Sequence, residues 1–282
     1  MPDILIIAAI TAKFMLYVGV LTASGTVISA LIFNLYNHRN CSLKYASLGI
    51  FATIIDYLLR GANLTGHISG MFNPEMLALL WSTPVGTTFL YRIVGLSILS
   101  FSLFMSRVWL WLSGLGGIIA LWSFVYSGHI SSQDQSFLDI ALILHLVFIA
   151  IWIGILTPLK QFAIKQETWP KAVSLGHRFG FLATITVPSL IVLGIYMGYK
   201  LVGSLNLLFN SSYGQVLILK VIIVAFVLLL AAINKLRLIP QLQASKPNAA
   251  QKLVKLISLE WLVILVILAT TALLTSNLTL PN

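Results

Sequence analysis

Charge is what this sequence has least of. Of its 282 residues only 9% are charged, against about 25% in soluble globular chains, which excludes an ordinary soluble domain. Acids are scarcest, with 7 Asp and Glu against 17 Lys and Arg. A single cysteine, Cys41, excludes an internal disulfide framework. No hydrophilic stretch is long enough for a separate extramembrane domain, and no glycine-rich nucleotide-binding loop is present, so an ATP-driven pump is not expected. What is abundant is hydrophobic sequence: 59% of the residues, in runs that recur from end to end. A spanning helix takes about 20 residues, so the chain has room for about eight spans and little else.

The expected fold is therefore all-α: a polytopic membrane protein forming a single integral-membrane domain over residues 1–282. The apolar runs predict spans at Lys13–Leu35, Tyr45–Leu64, Val85–Met105, Val108–Ser127, Phe137–Leu159, Phe179–Val202, Gly214–Leu238 and Leu253–Asn277. The first is too long for the apolar region of a secretory signal and lacks a basic leader, so it is expected to remain in the mature protein.

A net charge of +10 would suit a nucleic-acid binder, but its distribution argues against one. Arg39, Lys44, Arg107, Lys160, Lys165, Lys171, Arg178, Lys235, Arg237, Lys246, Lys252 and Lys255 fall in alternate loops, and Lys200 is the exception. This positive-inside pattern places both termini outside the cytoplasm. The basic loops are topology signals, and no nucleic-acid partner is expected.

Two stretches resemble each other. Leu79-Leu80-Trp81-Ser82-Thr83-Pro84-Val85-Gly86 leads into the third span, with Arg92 six residues after the glycine. Leu207-Leu208-Phe209-Asn210-Ser211-Ser212-Tyr213-Gly214 leads into the seventh, with Lys220 at the same distance. Each is a short apolar segment, a polar break and a span with a deep cation. The copies lie four spans apart, which predicts two parallel four-helix halves, 1–130 and 131–282, as some transporters have. Asn73-Pro74-Glu75 reads as the start of a short helix. Such segments would lie on the outer face, either as re-entrant helices lining a vestibule or as interfacial helices among the headgroups.

Charges inside spans cost roughly 2.5–3.5 kcal/mol each on insertion scales, so Asp56, Arg60, Arg92, Lys220 and Glu260 need partners or a purpose. Asp56 and Arg60 lie four apart on one helix face and are placed to neutralise each other. Either the charges lock the bundle or they mark a polar path through it. Among the histidines, His38 and His177 sit beside basic residues at the cytoplasmic edge. His67 lies in an outer loop near Met71 and Met76; imidazole and thioether together suit copper, the thioether favouring Cu(I). His129 ends the fourth span, and His145 lies about 12 Å below the outer end of the fifth at ~1.5 Å per residue. Trp152, seven residues on, shares its face. Two histidines near one surface on consecutive helices are candidate metal ligands.

The order Gly128-His129, His145-x6-Trp152-x-Gly154, Arg178-Phe179, Ser212-Tyr213-Gly214-x5-Lys220, Asn234-Lys235-Leu236-Arg237 with Pro240, and Glu260 before Leu274-Thr275-Ser276 resembles the copper-resistance protein D family. The likeness runs from about Gly128 to the C-terminus. The first half agrees in topology and in Ser82-Thr83-Pro84-x-Gly86-x5-Arg92. Ile155 stands where the family usually has a second glycine, and Lys235 where it usually has arginine. The resemblance implies a bacterial inner-membrane protein that takes copper from the periplasm, often with a small periplasmic copper-binding protein of the CopC type. Here that partner is expected to be a separate chain.

On this reading His129 and His145 accept copper, His67, Met71 and Met76 are possible first ligands, and Asp56 and Glu260 line the inward path. Trp152 shapes the pocket, while Arg92 and Lys220 are structural partners of acids. Copper ions and the bilayer are the expected partners, and no enzymatic activity is expected. Two alternatives stay open. One is a membrane b-type cytochrome with bis-His haem, using His129 with His145 or His67, and His38 with His177. The other is a scaffold that delivers copper without transporting it.

Overall fold

A computed structural model describes residues 2–35, 39–105, 107–126 and 136–276. All regular structure among them is helical, as expected of a chain whose backbone polar groups must be satisfied in lipid. Helix α1 (Pro2–Phe33) runs from the N-terminal face to the face that bears the basic loops, and starts well before the hydropathy edge near Lys13. Helix α2 (Arg39–Thr65) returns. A 3-10 turn at Ile68–Phe72 and the short helix α3 (Pro74–Trp81) follow on the N-terminal face. Helix α4 (Pro84–Ser102) crosses again. Then come α5 (Leu110–Trp122), α6 (Ser136–Ile164), α7 (Trp169–Val202), the short α8 (Leu205–Asn210) and α9 (Ser212–Ile233). Helix α9 continues through a π-helical turn at Asn234–Leu238 into α10 (Ile239–Gln243), and α11 (Ala249–Ser276) closes the bundle.

Among the described residues seven helices are long and apolar enough to cross a membrane. Over the fourth expected span, α5 gives way to a 3-10 turn at Ser123–Tyr126, and the described apolar helical unit is Leu110–Tyr126.

Helix α1 is the hub, packing on α2, α5, α6 and α11. Its sequence explains why. Gly25 meets α6 so closely that a Cβ there would lie 1.9 Å from the Ala150 carbonyl oxygen, and a Cβ on Gly154 would lie 2.1 Å from the Gly25 carbonyl oxygen. Small residues allow such backbone contact, and dispersion and short hydrogen bonds then hold the helices where no hydrophobic drive exists. Ser24 donates to the Gly117 carbonyl at 3.2 Å, Ser29 to Ile151 at 3.0 Å and Ser42 to Ala23 at 3.1 Å. Ile155 is fully buried in the same interface.

The segments before α4 and α9 start as their sequences suggest. The Asn73 side chain accepts from Glu75 N and Met76 N, with Pro74 at the first helical position. Thr83 Oγ1 accepts from Val85 N, and Ser211 Oγ accepts from Gly214 N. A Cβ on Gly86 would sit 2.2 Å from the Trp81 carbonyl oxygen, and one on Gly214 equally close to that of Leu208. In both places the chain folds back too tightly for any side chain.

On the basic face, Arg178 donates to the Phe33 and Ile32 carbonyls at 3.0 and 3.1 Å, closing the C-terminal end of α1. Lys235 donates to the Gly180 carbonyl at 2.7 Å, and His177 pairs with Gln243 at 3.0 Å. These motif residues act as structural fasteners between α1, α7 and the end of α9.

Candidate functional site

Charged groups gather in the first half near the N-terminal face. Arg60 Nε donates to Asp56 Oδ2 at 3.2 Å, along one face of α2. Arg92 brings Nη1 to 4.0 Å from the same oxygen, donates from Nε to Ser123 Oγ at 2.9 Å, and lays its guanidinium 4.7 Å from the Phe124 ring centre. Lys13 donates to the Thr275 carbonyl at the end of α11. The Tyr17 hydroxyl lies 3.3 Å from Thr275 Oγ1, and its ring stacks on Phe124 at 5.2 Å. A cavity of about 380 Å³ opens beside this group, with Asp56, Arg60 and Arg92 in its wall. A far smaller space between Lys13, Arg60 and Arg92 has room for little more than one water. The i,i+4 pair was legible in the sequence. Lys13 and Tyr17 were not, because a cation at the edge of a span reads as an interfacial anchor.

The second half holds a different set. His145 on α6 is half-buried, with its Nδ1 covered and without a hydrogen-bond partner. Its Cε1 faces Gly194 of α7. Lys220 lies half-buried within electrostatic reach of the ring. Two turns along α6, Trp152 is buried against Phe179, with ring centres 6.4 Å apart. Deeper still, Asn234 Nδ2 donates to Glu260 Oε1, and both residues are buried. The Trp152 indole comes near the same carboxyl group without hydrogen-bond geometry, leaving Nε1 unpartnered. Asn234 Oδ1 is likewise buried without a partner.

Asn234, which meets Glu260, is the first residue of the π-helical turn that continues α9. Such turns often occur at functional sites. The sequence showed Asn234 only as part of a motif at the basic end of a span; nothing in hydropathy distinguishes a π turn from an α turn.

The loop candidates stand apart from this set. His67 is exposed at the start of the 3-10 turn, and Met76 is half-buried on α3. Met71 packs against the small cluster of Leu5, Ala12, Leu59 and Ala62. His129 and His38 lie outside the described residues. No group of three or more His, Cys, Asp or Glu side chains that could hold a metal ion occurs among the described residues.

Comparison with known proteins agrees with the family motifs. Residues 1–137 match a family model described as copper resistance protein D-like, N-terminal domain. Residues 174–274 match one described as copper resistance protein D. The likeness thus reaches the first half, where sequence motifs carried it only through the segment ending at Arg92. The chain is 26% identical over 155 residues to copper transport protein CutJ of Bacillus subtilis (strain 168), across 54% of this chain and 27% of that one. It is 28% identical over 133 residues to inner membrane protein YebZ of Escherichia coli (strain K12), across 46% of each. The matched parts make up from about a quarter to about half of these curated relatives. No solved structure matches.

Proposed function

The chain belongs to the copper resistance protein D family, and from that premise we propose that it is a transporter that moves copper through its second half. The supporting observation is that two buried polar atoms, His145 Nδ1 and Asn234 Oδ1, meet no hydrogen-bond partner among the described residues, with the Glu260 carboxyl beside the latter. Imidazole nitrogen suits copper in either oxidation state, and oxygen donors bind it more loosely. Loose binding at successive stations is what conduction requires.

In this reading copper enters at the N-terminal face, which is periplasmic by the charge pattern of the loops and carries both termini. His67, Met71 and Met76 offer first contacts there, His129 and His145 accept the ion, and Asn234 with Glu260 passes it on. Trp152 separates the two stations. Asp56 serves as the counter-ion of Arg60 and Arg92, since a carboxylate among basic side chains is a poor stop for a cation. The halves 1–130 and 131–282 are parallel repeats in which the caps at Thr83 and Ser211, the glycines at 86 and 214, and the cations at 92 and 220 correspond. Copper arrives from a separate periplasmic protein of the CopC type, and the protein sits in the inner membrane.

Copper content of the purified protein and copper uptake into proteoliposomes test the proposal. His145→Ala and His129→Ala should lose bound copper, and Glu260→Gln should keep the outer copper but slow uptake. Unchanged content and uptake in all three would defeat it. A haem absorption band in the purified protein would instead point to electron transfer.

A further inference from the structure

One π-helical turn, Asn234–Leu238, makes two unlike attachments. Its first residue, Asn234, donates to the buried Glu260 carboxyl. Its second, Lys235, reaches another helix and donates from Nζ to the Gly180 carbonyl of α7 at 2.7 Å. The fit at Gly180 is close: a Cβ there would lie 3.2 Å from Lys235 Cε and 3.3 Å from both Cδ and Cγ, so the lysine stem lies along the glycine. One turn earlier on α7, a Cβ on Gly176 would meet the Ile239 side chain at 2.5 Å. Two glycines a turn apart thus seat the end of α9 against α7.

Gly180 follows Phe179, and the Phe179 ring stands in a row of three. Its centre lies 6.4 Å from that of Trp152 and 6.3 Å from that of Phe33, both contacts near edge-to-face. Trp152 neighbours the Glu260 carboxyl. Phe33 ends α1 on the basic face, where Arg178 donates to its carbonyl and lies 5.5 Å from its ring centre. Three apolar rings therefore run from the carboxyl to the basic face. Apolar constrictions gate ion movement by excluding water. Of the three rings, Phe179 is the one whose backbone neighbour the π turn holds.

We propose that Phe179 is the inner gate of the copper path and that Lys235 is the residue that positions it, through the Gly180 carbonyl. The gate rests on the proposed path through Asn234 and Glu260, whose exit it closes. Asn234 and Lys235 are consecutive residues of one turn, so copper taken at Asn234 and Glu260 pulls on the same backbone that holds Phe179 in place. A π turn departs from the regular α ladder, and helices bend at such points. Release of Lys235 from Gly180 then frees α7 to move Phe179 out of the row.

Reaction of Glu260 with a water-soluble carbodiimide and an amine, read by mass spectrometry of the full chain in phosphatidylcholine nanodiscs without copper, tests the gate. Lys235→Met keeps the stem but loses the donor, and should label Glu260 about fivefold faster, the shift expected on losing one hydrogen bond. Phe179→Leu should raise the rate at least as much. Lys235→Arg keeps a donor and should label as the wild type does. Lys246→Gln, which removes an exposed cation from a basic loop, should change nothing. Labelling of Asp56, buried in the first half, should be the same in every variant, whereas general loosening would raise it too. Equal labelling of Glu260 in wild type, Lys235→Met and Phe179→Leu would overturn the proposal. So would Asp56 labelling that rises in step with Glu260, or Lys235→Arg labelling as fast as Lys235→Met. Copper uptake into proteoliposomes is the second measurement: Lys235→Met and Phe179→Leu should raise its initial rate with bound copper unchanged. Faster labelling with no copper uptake by wild type or variants would keep the gate and defeat the copper path.

Discussion

Asp56 accepts from Arg60 at 3.2 Å and lies 4.0 Å from Arg92, so its removal takes an acceptor from one guanidinium group and a nearby counter-charge from the other. Breaking a buried pair by deleting one partner costs about 3–5 kcal/mol. Asp56→Asn is therefore expected to lower the melting temperature strongly. Arg60→Gln removes a partly exposed member and should cost about 0–1 kcal/mol; equal losses in the two variants would contradict the pairing. In the second half, Asn234→Leu removes the donor to the buried Glu260 carboxyl, at a cost of about 1–3 kcal/mol. Copper uptake by Asn234→Leu should fall to the level of Glu260→Gln, measured in the same proteoliposomes. Asp56, Arg60, Arg92, Lys220 and Glu260 stood out in the sequence because each interrupts an apolar run. Lys13 and Asn234 did not, since a cation at a span edge and an amide in a basic motif have ordinary interfacial explanations.

Helix positions follow from hydropathy, but helix ends and irregular turns follow from contacts. Helices α1 and α7 extend about ten residues or more beyond the apolar edges, at ~1.5 Å per residue a substantial addition to each rod. Helix α5 becomes a 3-10 turn at Ser123, and there Ser123 and Phe124 meet Arg92. The crossing of α1 and α6 rests on Gly25 and Gly154. Gly154→Leu would drive a side chain into the α1 backbone, and overpacking costs about 1–3 kcal/mol or more. The expected outcome is loss of the monodisperse peak in size-exclusion chromatography of the detergent-solubilised protein. The Trp-x-Gly segment was visible as a motif; that its glycine serves helix crossing while its tryptophan neighbours Glu260 needed the packed bundle.

At the scale of the molecule, the charged cluster and the acceptor atoms sit in different halves. Among the described residues the first half gathers three basic side chains around Asp56, and the second presents imidazole, amide and carboxyl groups with polar atoms left without a hydrogen bond. If the halves are parallel repeats, they have diverged in chemistry while keeping the caps, glycines and deep cations before and within α4 and α9. Orientation belongs to this scale as well. Alkaline phosphatase fused after the C-terminus should be active, and the same fusion in the loop near Glu167 inactive, as the proposed orientation with cytoplasmic basic loops requires. The reverse result would invert the proposed direction of copper movement.

Composition and hydropathy alone determined that the chain is helical and membrane-embedded, because lipid leaves the backbone few other ways to satisfy its hydrogen bonds. The same scarcity of charge marked most of the residues that matter. Only the tertiary structure decided which of them meet. Lys13 reaches Thr275, Arg92 reaches Ser123, and Asn234 reaches Glu260 across helices far apart in sequence. Such meetings depend on crossing points set by small residues and on how the helices pack, neither of which a one-dimensional pattern of apolar residues records.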